Sequence, residues 1–211
     1  STPKMDRRAH IKKLMALGAA SAAPGALWAA GAEVLVGDEK SNRAFGYKRS
    51  VSHWTVDDLD WDDLCGWLAK EGVEAVDLVG PENWHHLKKH GLDSSMCNGA
   101  ELNLVDGFIH EEFEGVLHER YRAMIPQVAK AGYKNLICFS GNRRGLSEEE
   151  GLEQAVKALR PMVALAEEHG VVLQMELFNS TVDHPDYMAD SSRWGIELAR
   201  ELNSPSFKLL Y

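Results

Sequence analysis

The chain has 211 residues, 45% hydrophobic and 26% charged, a balance that fits a globular protein with one sizeable core and excludes a disordered or fibrous one. Its 23 Lys and Arg against 32 Asp and Glu give a formal net charge of −9, which opposes a nucleic-acid partner, because such affinity comes largely from cations that neutralise phosphates. Cys65, Cys97 and Cys138 show no CxxC or other metal-ligand spacing, and an odd count argues against a disulfide framework, so they read as small buried side chains.

The first thirty or so residues differ in kind from the rest. Lys4, Arg7, Arg8, Lys12 and Lys13 precede the weakly apolar run LMALGAASAAPGALWAAGA, the layout of an export signal. Ala30 and Ala32 supply the small residues that cleavage after Ala32 requires. Adjacent Arg7 and Arg8 resemble a twin-arginine signal, and the alternative is an amphipathic N-terminal helix. Pro24, the glycines and the shortness of the apolar run speak against a stable membrane span. The expected organisation is an export signal over residues 1–32, a polar linker over 33–46 and a domain over 47–211, in an exported, periplasmic or extracytoplasmic protein.

Within the domain, residues 47–55 predict a first strand and 57–71 a helix, with Trp61, Leu64, Cys65 and Leu68 at i, i+3, i+4 and i+7 on one face. Gly72 suits the helix C-terminus, and VEAVDLV follows as a strand. The unit then repeats: Gly91 precedes LDSSMC, Gly132 precedes YKNLICFS and Gly170 precedes VVLQMEL, each after a stretch of helical spacing. Leu117, Tyr121, Met124, Ile125 and Val128 mark the inner stripe before Gly132; Leu152, Ala155, Leu159, Met162 and Ala166 mark the one before Gly170. Ser147 and Glu150 predict a capping box, while Pro126 and Pro161 predict kinks or breaks. A last helix over 187–202 leads into the strand FKLL.

About six apolar strands alternating with five helices imply a parallel sheet covered by helices. The two candidates are a doubly wound sheet and a (β/α)8 TIM barrel, and no strand is followed by a GxGxxG phosphate loop. Six strands do not complete a barrel, which takes about 250 residues. Because the chain stops at Tyr211 directly after a strand, the expectation is a C-terminally truncated barrel with open sheet edges, little isolated stability and no activity of its own.

In parallel α/β folds the functional groups gather at the C-terminal strand ends. Those positions hold His53 and Trp54, Asp77, Asn98, Ser140 and Asn142, and Glu176 and Asn179. In VVLQMELFN, Gln174 and Glu176 share one side with Val172, and Leu173 and Met175 share the other, so Glu176 is either a solvated strand end or a carboxylate carried to a barrel mouth. A carboxylate among neutral polar groups suits a hard divalent cation such as Mg2+ or Mn2+.

The runs CFSGNRRGLSEEEGLE, VVLQMELFNSTVDHPDYMADSSRWGIELARELNSPSFKLLY and VDLVGPENWHHLKKHGLDSSM resemble the hydroxypyruvate isomerase-like family of the xylose isomerase-like TIM barrels, over roughly residues 47–211. The resemblance implies a divalent metal held by a Glu after strand five, an Asp after strand six, a His or Gln after strand seven and a Glu after strand eight. Only the first maps here, onto Glu176; in the family pattern the run KLLY is followed directly by the Asp. The implied activity is a metal-dependent isomerisation or epimerisation of a small hydroxy-carbonyl or sugar substrate, through proton transfer and an enediolate. Glu176 would then be metal ligand and acid/base group, with His53, Trp54, Asn142 and His184 lining the substrate site. The alternatives are an apurinic-site endonuclease-type nuclease of the same fold and a non-catalytic sugar-binding barrel. A small molecule is the expected partner, and a homo-oligomer is compatible with the sequence.

Overall fold

The computed structural model describes residues 48–56 and 58–211; the expected signal and linker, with Tyr47 and Asp57, lie outside them. The described elements alternate throughout: β1 (Ser50–Ser52), a 3-10 turn (His53–Thr55), α1 (Trp61–Lys70), β2 (Ala75–Val79), α2 (Trp84–His90), β3 (Asp93–Cys97), α3 (Glu111–Ala131), β4 (Asn135–Cys138), α4 (Glu148–His169), β5 (Val172–Glu176), α5 (Ser192–Leu202) and β6 (Phe207–Leu210).

Local chemistry sets most of these boundaries. The Asp60 carboxylate accepts from the backbone N–H groups of Asp62 and Asp63 at 2.9 and 3.2 Å, so α1 begins at Trp61, the first residue of its apolar stripe, rather than at residue 57. The Ser147–Glu150 capping box forms as expected and opens α4. Gly91, Gly132 and Gly170 end α2, α3 and α4 in the left-handed conformation, which glycine adopts without steric cost. The first strand is shorter than predicted, because the chain turns at His53–Thr55 and the Thr55 hydroxyl donates to the Ser52 carbonyl at 2.8 Å. The last helix starts at Ser192 under a Ser191 cap, leaving residues 187–190 in a loop. Pro126 and Pro161 end neither of their helices; the buried stripes around them, Met124, Ile125 and Val128 in α3 and Leu159, Met162 and Val163 in α4, outweigh a penalty of about 3 kcal/mol.

Each strand pairs in parallel with the next, in the order β1-β2-β3-β4-β5-β6. A doubly wound sheet reverses its order at a switch point, and this one does not. The sheet curls, because one cavity is lined by side chains from all six strands, among them Ser52, Asp77, Ser95, Asn135, Glu176 and Leu210. This is a (β/α) barrel architecture with β1 and β6 as its outer strands. The helices cover the convex side, where Val76, Leu136, Leu173 and Met175 from the strands meet Leu64, Leu68, Tyr121, Ile125, Leu159 and Trp194 in one continuous core. The three cysteines are buried and free, as their spacing predicts, and burial raises each thiol above its ordinary range. Among the described residues no helix is long and apolar enough to cross a membrane.

Candidate functional site

Strand alternation divides β5 into two faces. Leu173 and Met175 are fully buried under the helices, whereas Val172, Gln174 and Glu176 are only partly buried and look the other way. Gln174 and Glu176 enter a concave cavity of about 390 Å³ inside the curled sheet, within the range for a small-molecule site. The register holds this arrangement: Gln174 aligns with Ile137 and Lys208, and Glu176 with Leu210.

The cavity floor centres on Asp77. Its carboxylate accepts the Ser50 hydroxyl at 2.9 Å and the Ser52 hydroxyl at 3.5 Å on one oxygen, and the Ser95 hydroxyl on the other. The Asn135 side-chain amide donates to the Ser95 carbonyl at 2.8 Å, tying β4 into the same layer. β2 is irregular at this point: its register against β3 shifts on both sides of Asp77, and Leu78 has φ +61°, which costs a leucine about 1–2 kcal/mol. Such a bulge re-aims side chains, here Asp77 and Leu78, which both line the cavity.

Glu176 sits at the C-terminal end of β5 with its backbone fixed and its carboxylate unengaged. The buried Tyr187 hydroxyl donates to the Glu176 carbonyl at 3.2 Å and accepts from the Ser140 N–H at 3.0 Å. Leu177 N–H donates to the Leu210 carbonyl at 3.0 Å. Among the described residues no group donates a hydrogen bond to the Glu176 side chain or pairs with it. Burial without compensation disfavours the anion and pushes its pKa up to about 7.

Of the other residues singled out by sequence, Trp54 lines the same cavity, with 64% of its surface exposed at the rim. His53 stacks on Trp61 with ring centroids 3.9 Å apart. Asn142 forms an isolated antiparallel bridge with Tyr187; its N–H donates to the Val105 carbonyl at 3.0 Å and its own carbonyl accepts from His110 Nε2 at 2.9 Å. His184 stacks on Phe178 at 4.2 Å. These three do not line the Glu176 cavity. Arg143 pairs with Asp190 at 3.0 Å, tying the loop after β4 to the loop after β5, and Arg144 pairs with Asp106, tying it to the loop after β3. Sequence reasoning missed Ser50, Ser52, Ser95 and Asn135. The signal is present in the sequence: Ser50 and Ser52 recur two apart in β1, as Gln174 and Glu176 do in β5.

A divalent cation takes several oxygen ligands. Among the described residues no group of three or more His, Cys, Asp or Glu side chains is arranged to hold a metal ion. Glu176, a part-buried carboxylate without a partner, fits as one such ligand.

No protein-family model matches the chain, and no curated protein sequence does. Solved structures do match it in fold. An AP endonuclease of family 2 from Brucella melitensis superposes with a TM-score of 0.66 at 16% identity, covering 77% of this chain and 67% of that one. The IolI protein with a bound zinc atom gives 0.63 at 14% identity, over 77% and 62%. D-psicose 3-epimerase with D-tagatose, from Clostridium cellulolyticum H10, gives 0.60 at 14% identity, again over 77% and 62%. The chain thus spans about 62–67% of the length of these structures, and its described residues share their (β/α) barrel fold.

Proposed function

We propose that the chain is a metal-dependent isomerase or epimerase of a small hydroxy-carbonyl or sugar substrate, related to the hydroxypyruvate isomerase-like proteins and working by proton transfer through an enediolate. The observation that carries this reading is Glu176: a part-buried carboxylate at a barrel-strand end, without a hydrogen-bond or ion-pair partner among the described residues and facing a cavity lined by both polar and apolar side chains. A carboxylate at that position is within reach of a proton beside a substrate carbonyl held in the cavity. Glu176 would hold a divalent cation, Mg2+ or Mn2+, whose contribution when bound is to stabilise negative charge on the substrate oxygens. Trp54 offers a flat apolar surface at the rim. The Tyr187 hydroxyl fixes the carbonyl of Glu176 and so the direction in which its carboxylate enters the cavity. An apurinic-site endonuclease is the second reading, supported by the fold likeness to the Brucella protein and opposed by the net charge of −9. The N-terminal basic and apolar runs support export by the twin-arginine route to the periplasm, with a mature protein beginning near Glu33; an intact N-terminus on the exported protein would contradict it.

The test is solvent exchange. The full-length protein, incubated in D2O with Mg2+ or Mn2+ and a panel of hydroxypyruvate and short ketoses, should place deuterium on the carbon beside the carbonyl of at least one of them, followed by NMR. Chelation should abolish the exchange. No exchange above the uncatalysed rate with any member of the panel would remove the isomerase reading.

A further inference from the structure

We propose that the cavity selects a neutral polyhydroxylated substrate and rejects phosphorylated or carboxylate-bearing ones, hydroxypyruvate included. This rests on the isomerase reading above and narrows its substrate class. The polar lining includes two carboxylates, Asp77 and Glu176, the hydroxyls of Ser50, Ser52, Ser95 and Tyr211, and the amides of Asn135 and Gln174; among the described residues no Lys or Arg lines it. Sites for phosphate or carboxylate supply guanidinium or ammonium groups, or the N–H groups of a helix N-terminus, and among the described residues none of these lines this cavity. The cations nearest in sequence to the strand ends are committed elsewhere: Arg143 to Asp190 at 3.0 Å and Glu148 at 3.7 Å, and Arg144 to Asp106 and Glu112. Lys208 aligns with Gln174 in the sheet, but it is exposed and lines a separate surface hollow beside Arg200.

The remaining groups suit hydroxyls. Gln174 donates and accepts at once, and a serine hydroxyl turned from Asp77 to a ligand can do the same. The bulge that re-aims Asp77 toward the cavity at the expense of a left-handed Leu78 places a fixed negative charge on the floor, where an incoming anion meets it in a site of reduced dielectric.

The test compares a neutral pentitol with its terminal phosphate ester, each titrated into the full chain with and without Mn2+ and followed by ligand-observed NMR and calorimetry. A pentitol has no carbonyl, so its binding is independent of proton transfer, and the D2O experiment bears on the isomerase reading alone. The expected result is saturable binding of the pentitol and binding of the phosphate ester at least about 10-fold weaker. Asp77→Asn, which keeps the shape and removes the charge, should narrow that gap. Gln174→Lys, which places a cation in the lining without disturbing the serine–aspartate layer, should tighten the phosphate ester by about 10-fold or more and serves if the first variant does not fold. Equal or tighter binding of the phosphate ester to the unaltered chain, absence of pentitol binding, or a gap that neither variant changes would overturn the proposal.

Discussion

The two faces of one sheet differ in almost every physical respect. On the convex face Leu173 and Met175 of β5, Leu136 of β4 and Val76 of β2 are completely covered, and their neighbours are apolar helix residues. On the concave face the same strands present Gln174 and Glu176, Asn135, and Asp77 to a cavity. Barrel interiors are commonly filled by bulky aliphatic side chains; here much of the interior is hydroxyl, amide and carboxylate. Stability therefore resides in the helix-to-sheet layer, and the interior is left free to carry chemistry.

The strongest way to break that contrast is on the convex face. Leu173→Ala removes a fully buried side chain between strand and helices and should cost about 2–5 kcal/mol in denaturant unfolding. A loss below about 1 kcal/mol would mean that the layer is not close-packed. Tyr187→Phe acts where the two faces meet. It deletes the hydroxyl that joins the Ser140 N–H to the Glu176 carbonyl, leaving buried backbone groups unpaired at about 1–3 kcal/mol. It should also lower kcat by loosening Glu176; an unchanged kcat with lowered stability would leave Tyr187 a structural residue only.

The third effect is smaller and belongs to the concave face. Because the Glu176 pKa is about 7 in the folded chain against an ordinary 4.5, the native state binds more protons than the unfolded state between those values. Stability should therefore fall as pH rises from about 4.5 to 7 and level off above. After allowance for solvent at the cavity mouth the contribution is on the order of 1–2 kcal/mol. Measured in chelator, Glu176→Gln should lack this contribution and gain on the unaltered protein as pH rises; parallel profiles for the two would show that the carboxylate is solvated.

The convex face was the legible one. Period-3.6 stripes such as Leu64, Cys65 and Leu68 or Tyr121, Ile125 and Val128, and glycines at helix ends, carry their meaning locally, and all those side chains are buried. The alternation in VVLQMELFN likewise separated Leu173 and Met175 from Glu176. What was not legible depends on partners distant in sequence. His53 and Trp54 read as strand residues, but a hydroxyl-capped turn redirects them, and only Trp54 reaches the cavity. Asn142 and His184 sit near strand ends in sequence, yet loop–loop bonds such as Arg143 N–H to the Asp186 carbonyl at 2.6 Å and the His184–Phe178 stack hold them elsewhere. The Asp77 floor needs a bulge and three serines from two other strands, and no local pattern announces such a meeting.

The central claim is that the concave face works through Glu176. Glu176→Gln preserves the shape of the side chain and removes the charge, so bound divalent metal, measured after equilibration with Mn2+, and turnover of whichever substrate shows exchange test it together. The account predicts a folded variant with markedly reduced bound metal and a rate lower by about 100-fold to 10,000-fold. A folded variant with normal metal content and normal turnover would contradict it.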